Sequence, residues 1–99
     1  MAEKVLVPPH MFACLDAEGE NYIVEVDLPG VNKEHIDLRM HEDIIHVLAE
    51  RENLAFHGHL HFPIKVSPKK VKAKFSNGLL KVEVPVKEKR SPPIKIEVE

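Results

Sequence analysis

Asn77-Gly78 sits between two runs in which apolar and polar residues alternate. Both residues accept the positive φ angles of a type I′ turn, the two-residue connection that joins antiparallel strands without splaying them. Beyond it Leu80, Val82 and Val84 share one face, and Lys81 and Glu83 share the other. That is the period of a strand with one side buried. Pro85 ends the run, because proline has no N–H to donate to a ladder. A chain that arranges its apolar residues in this way has to bury them against a sheet.

The same period recurs upstream. Met11 to Asp16 reads as a first edge strand, turned by Glu18-Gly19-Glu20-Asn21. Tyr22, Val24, Val26 and Leu28 then alternate with Ile23, Glu25 and Asp27, a second strand with one apolar face. Leu28-Pro29-Gly30-Val31 carries type II turn chemistry, with proline presetting φ at the first central position and glycine taking positive φ at the second. Ile36, Leu38 and Met40 alternate with Asp37, Arg39 and His41 in a third strand. Glu42-Asp43 leads to a fourth, where Ile45, Val47 and Ala49 oppose His46 and Leu48. Arg51 to Phe56 reads as a connection, His57 to Ile64 as the fifth strand, Val71 to Phe75 as the sixth and Leu79 to Val84 as the seventh. No window repeats apolar residues at helical spacing. The pattern predicts an all-β fold, an antiparallel immunoglobulin-like β-sandwich of about seven strands. It divides the chain into a short arm at 1–10, stiffened by Pro8-Pro9 after Val5-Leu6-Val7, a sandwich domain at 11–86, and a charged, proline-bearing extension at 87–99.

With 99 residues, 43% of them apolar and 30% charged, the chain has the balance of one soluble globular domain. A formal net charge of −2 gives no electrostatic reason to expect nucleic acid or an anionic membrane as partner. Lys69, Lys70, Lys72 and Lys74 read as a solvated basic face. Cys14 is the only cysteine, so no intramolecular disulfide forms and a reducing compartment is expected. Met1-Ala2-Glu3-Lys4 lacks the pattern of a signal peptide, and no apolar run approaches membrane-spanning length. A cytoplasmic location is the expectation.

Ala73-Lys74-Phe75-Ser76-Asn77-Gly78-Leu79-Leu80 resembles the A-x-x-x-N-G-x-L signature of the α-crystallin domain of small heat shock proteins. The turn centred on Pro29 and Gly30 resembles a second hallmark of that family, and Ile94-Lys95-Ile96 its I-x-I tail motif. The likeness runs over roughly residues 10 to 99. It implies an ATP-independent chaperone, a holdase needing no cofactor, whose partners are unfolded or partly folded client proteins and further copies of itself. It also implies that the tail isoleucines, Ile94 and Ile96, plug a groove on a neighbouring subunit. That groove would lie between the strand of Ile36, Leu38 and Met40 and the strand of Val71, Ala73 and Phe75. Alternation places each trio on one face, which suits a groove and suits plain core equally. Ile94, Ile96 and Val98 form a strand face of their own with no hairpin partner just before it, the pattern of a segment that adds to an exposed sheet edge.

His57, His59 and His61 alternate, so on a strand they project from one face at a spacing of roughly 6–7 Å. With His41 or His46 nearby they are weak candidates for zinc ligands. The plainer alternative is a solvated face with Leu60, Phe62 and Ile64 packed inward, and a third is a pH sensor. No acid dyad, phosphate loop or nucleophile elbow is present, and Cys14 and His10 share a strand face at poor geometry for activating a thiol. No enzyme is expected. In microbial members of the resembled family a long loop after the fourth strand crosses to the partner. Here Glu52-Asn53-Leu54-Ala55-Phe56 spans at most ~18 Å, too little for a strand and its return. That favours edge-to-edge pairing or a smaller assembly, and it keeps a second reading open. CS-domain co-chaperones share the sandwich without the long loop and serve as binding modules for a larger ATP-driven chaperone.

Overall fold

The computed structural model describes residues 4–87 and 93–99. Met1 to Glu3 lie outside the described residues, as do residues 88–92 of the segment read as a charged, proline-bearing extension. Eight strands are formed among the described residues: β1 (Val5–Val7), β2 (Met11–Leu15), β3 (Asn21–Asp27), β4 (Ile36–Met40), β5 (Ile44–Arg51), β6 (Leu54–His61), β7 (Lys72–Ser76) and β8 (Leu79–Pro85). They make two four-stranded sheets, ordered β1-β6-β5-β4 and β2-β3-β8-β7. All pairs are antiparallel except β1 on β6, which is parallel.

The core follows from the alternation. Tyr22, Val24 and Val26 of β3 pair with Val84, Val82 and Leu80 of β8, and all six are buried. They pack against Ile45, Val47 and Ala49 of β5, with Phe56, Phe62 and Val66 closing the layer. Each such side chain contributes about 1.5–3 kcal/mol by leaving water. No polar or charged residue is buried among the described residues, so nothing polar inside needs a compensating partner.

Both turns noted in the sequence take the expected geometry. Asn77 and Gly78 have φ of 50° and 80°, and Gly30 has φ of 76°. Val31 N–H closes the second turn on the Leu28 carbonyl at 3.3 Å. The two turns also touch. Leu28 N–H donates to the Gly78 carbonyl at 2.7 Å, and a Cβ on Gly78 would lie 3.5 Å from Pro29 Cα. Glycine is therefore needed at position 78 for its dihedral and suits the close approach. At the β2–β3 turn, the Asp16 carboxylate accepts the Asn21 side-chain amide at 3.0 Å and Glu20 N–H at 2.8 Å. These donors favour the charged form, the Asn21 amide most, and hold the Asp16 carboxyl below its ordinary range.

Four strand assignments from the sequence need correction. Val5-Leu6-Val7 is an eighth strand rather than a free arm, paired residue for residue with Leu54, Ala55 and Phe56. Three residues carry too little alternation to announce a strand, and a parallel partner leaves no hairpin signal. The connection read over Arg51 to Phe56 shrinks to Glu52-Asn53, because Arg51 already pairs with Leu54. Neither turn residue has positive φ, so the Asn-Gly type of signal was absent. Strand β6 accordingly begins before His57 and stops at His61, since Pro63 cannot extend the ladder. Val71 caps a single 3₁₀ turn over Pro68–Lys70, and β7 starts one residue later. No helix among the described residues is long and apolar enough to cross a membrane.

Candidate functional site

The two long edges of the sandwich differ, and the difference bears on the groove expected from the sequence. Gly58 on β6 pairs with fully buried Val47 and so faces inward. A Cβ there would meet Met11 Sδ of β2 at 2.9 Å and Pro9 Cδ at 2.9 Å. Strand β2 therefore stacks over β6, and given the sheet orders β7 falls on the side of β4.

At that second edge the inward-facing residues are incompletely covered. Ile36, Leu38 and Met40 of β4 pair with Ala49, Val47 and Ile45, all buried, yet are themselves only half-buried. Ala73 and Phe75 of β7 pair with Val82 and Leu80, both buried, and so face the same interior. Phe75 and the preceding Val71 are half-buried, and Ala73 is exposed. An inward-facing alanine open to solvent means that β4 does not close over β7. The result is an apolar slot flanked by two sheet edges that pair with no further strand among the described residues. The solvent face of β4 carries Asp37 and Arg39, bridged at 3.0 Å, and that of β7 carries Lys72 and Lys74.

The tail residues lie outside any core. Ile94, Ile96 and Val98 are 83%, 74% and 95% exposed. In the chain taken alone, the slot and the apolar tail are two uncovered surfaces in one molecule. The root of the tail is fixed. Lys87 N–H donates to the Lys65 carbonyl at 2.9 Å, and the Lys87 ammonium donates to the Glu42 carboxylate in the β4–β5 turn. That hydrogen bond, then the charges of Lys87 and Lys65, holds the Glu42 carboxyl below its ordinary range.

The histidines project from the outer face of the β1-β6-β5-β4 sheet, with His57, His59 and His61 exposed and Leu60, Phe62 and Ile64 on the inward side. Ring centroids of His59 lie 5.9 Å from His46 and 5.8 Å from His61. His57 stands apart beside Leu48, its cross-strand partner. Among the described residues, no group of three or more histidine, cysteine or acidic side chains is placed to hold a metal ion. Cys14 is exposed on β2, while His10 meets Asp27 at 3.5 Å and the edge of the Phe12 ring.

Two features of the site escaped the sequence reading. The close approach at Gly58 had a readable signal, a glycine inside a strand. The Lys87–Glu42 contact had none, because 45 positions separate its partners.

Residues 15–99 match the sequence profile of the Hsp20/alpha crystallin family. The chain is 30% identical over 89 residues to the 18 kDa antigen 2 of Mycobacterium avium, an alignment covering 76% of this chain and 64% of that protein. It therefore spans less than two thirds of that relative. Among solved structures, heat shock protein 16.0 from Schizosaccharomyces pombe superposes with a TM-score of 0.77 at 23% identity, over 94% of this chain and 99% of the other. A mutant of hsp14.1 from Sulfolobus solfatataricus superposes at 0.72 with 28% identity, over 84% of this chain and 78% of the other. With the sandwich topology, both motif turns and the profile match in agreement, this chain belongs to the Hsp20/alpha crystallin family.

Proposed function

We propose that this protein is an ATP-independent holdase, which shields unfolding proteins in the β4–β7 slot and assembles with its own copies by docking the Ile94-Lys95-Ile96 tail there. One observation carries this reading: a half-open apolar slot and a fully exposed apolar tail coexist in the same chain. Burying two isoleucines contributes roughly 3–6 kcal/mol gross, against an association cost of about 4–15 kcal/mol. A single tail binds weakly, and several in a closed assembly bind firmly by avidity. Weak individual contacts let exposed client segments displace a tail and reach the slot without nucleotide. The tail motif separates this reading from an adaptor of the CS-domain type, which needs no detachable plug.

The test pairs two measurements. Light scattering should give the intact chain a mass above one subunit, and a chain ending at Arg90 should lose mass. The intact chain should suppress heat aggregation of a labile client without ATP. An unchanged mass on truncation removes the tail from assembly, and failure to suppress aggregation removes the holdase.

A further inference from the structure

The outer face of the β1-β6-β5-β4 sheet gathers four of the chain's seven histidines, His46 on β5 and His57, His59 and His61 on β6. None of them belongs to the slot or to the core. His46 stands directly opposite His59 across the β5–β6 hairpin. How close the two side chains come depends on the hydrogen-bond phase of that hairpin. Val5 N–H donates to the Asn53 carbonyl at 2.9 Å, so Asn53 aims that group at β1 and Leu54 aims its own at Arg51 of β5. Phe56, Gly58 and Leu60 share the phase of Leu54, and His59 falls between them. His46 and His59 are therefore a non-hydrogen-bonded pair, where Cα atoms lie about 4.5 Å apart and side chains approach most closely. His61 is two residues along the same strand, on the same face.

The rings follow the backbone. His59 has an imidazole on each side, with centres 5.9 Å away at His46 and 5.8 Å away at His61. A metal ion bound by imidazole nitrogens at about 2.0–2.1 Å brings two ring centres to roughly 5 Å at a tetrahedral angle. As they stand the rings are slightly too far apart to share an ion, and a small rotation of the exposed His59 side chain closes the gap. His46 is half-buried, so one ligand is already restrained. Arg39 lies opposite His46 on β4, but its Nε–H donates to Asp37 at 3.0 Å, which sets a carboxylate against its charge. Glu50, on the same face of β5, is engaged by Lys4 at 3.1 Å. What remains is a set of imidazoles with no free strand carboxylate among them. Such a set suits copper, nickel and zinc, and not calcium or magnesium, which seek oxygen.

We infer that His46 and His59 chelate one divalent transition-metal cation of the copper, nickel and zinc class on this face, with water in the remaining positions and His61 at hand to replace one of the waters. Copper(II) is held most tightly, by the order in which nitrogen sites rank these ions. His46 and His59 meet only in the folded hairpin, so the ion clips β5 to β6 and stabilises the fold. The site lies on the outside of the sandwich and does not depend on how the tail docks.

The test uses the full chain with copper(II), zinc(II) and magnesium as probes, read by melting temperature and by calorimetric titration. Copper(II) and zinc(II) should raise the melting temperature, copper(II) at the lower concentration, and a chelator should reverse both rises. Magnesium should do nothing. His59→Asn should abolish the rise. His46→Asn should weaken binding by roughly tenfold or more, since losing even a residue that only orients a ligand costs about 10–100-fold. His61→Asn should weaken it less. His57→Asn removes the same side chain from the same face, beside Leu48, and should change nothing. Melting of each variant without metal confirms that it folds. A rise that survives His59→Asn overturns the chelate. So does a loss on His57→Asn equal to that on His46→Asn, an equal response to magnesium, or no response to copper(II) in the intact chain.

Discussion

The two long edges of the sandwich are built from similar apolar residues and finish in opposite ways. At the β2–β6 edge, Met11 and Pro9 press onto Gly58, and β1 adds a further strand outside β6. At the β4–β7 edge the inward rows stop short of each other, leaving Ala73 exposed beside half-buried Phe75. Apolar patterning alone would close both edges. What differs is the covering: the first edge is sealed from within the chain, and the second is left open in it, where the proposed docking would place a tail.

Substitution with the same residue should expose that division most sharply. Gly58→Val drives a branched side chain into Met11 Sδ and Pro9, where even a Cβ finds atoms at 2.9 Å. Overpacking of this kind typically costs about 1–3 kcal/mol, so melting should fall by roughly 4–8 °C per kcal/mol in a domain of this size. Ala73→Val adds the same bulk to an open slot and should change stability by less than about 0.5 kcal/mol. Thermal melting of the two variants side by side checks the contrast. If Ala73→Val is as damaging as Gly58→Val, the second edge is closed in solution and the slot does not exist.

A charge in the slot should separate function from folding at smaller cost to stability. Ala73→Asp places a carboxylate on an exposed, inward-facing position, where solvent still reaches it. Melting should move little, while tail docking and suppression of client aggregation should both drop, because an apolar partner would have to desolvate the charge. Retained suppression with lost assembly would sharpen the picture differently, by placing clients on another surface, with Val5, Leu6 and Phe12 at the opposite edge the first to examine.

Most of the fold and part of the site were legible in the sequence. Strands β3 and β8 announce themselves because each alternates cleanly beside a turn that demands glycine, and Gly30 and Gly78 supply it. Strand β1 and the early start of β6 do not, since three residues show no period and Glu52-Asn53 turns without positive φ. The same logic governs the site. Alternation shows that Leu38 and Ala73 face inward, but whether an inward face is core or groove depends on where the opposite sheet ends. That is a property of two edges meeting in space, and it leaves no mark on either strand alone.

Acid provides the gentlest probe, and it acts away from both edges. Asp16 and Glu42 are each held ionised below their ordinary values of 3.8 and 4.5 by donors that exist only in the folded chain. A carboxyl whose folded pKa is lowered contributes stability that is complete above the unfolded value and is lost as pH falls through the folded one. Melting should therefore be insensitive to these two groups from neutrality down to about pH 5 and should decline below that. Asp16→Asn should flatten the decline, because one carboxylate oxygen then becomes an amide facing the Asn21 amide. Glu42→Gln should also flatten the decline, and it should loosen the contact that holds Lys87 at the root of the tail. If Glu42→Gln leaves melting against pH unchanged but shifts assembly mass, the contact serves the tail root and not the sandwich. If it shifts neither, the Glu42 contact is not what holds Lys87 in place.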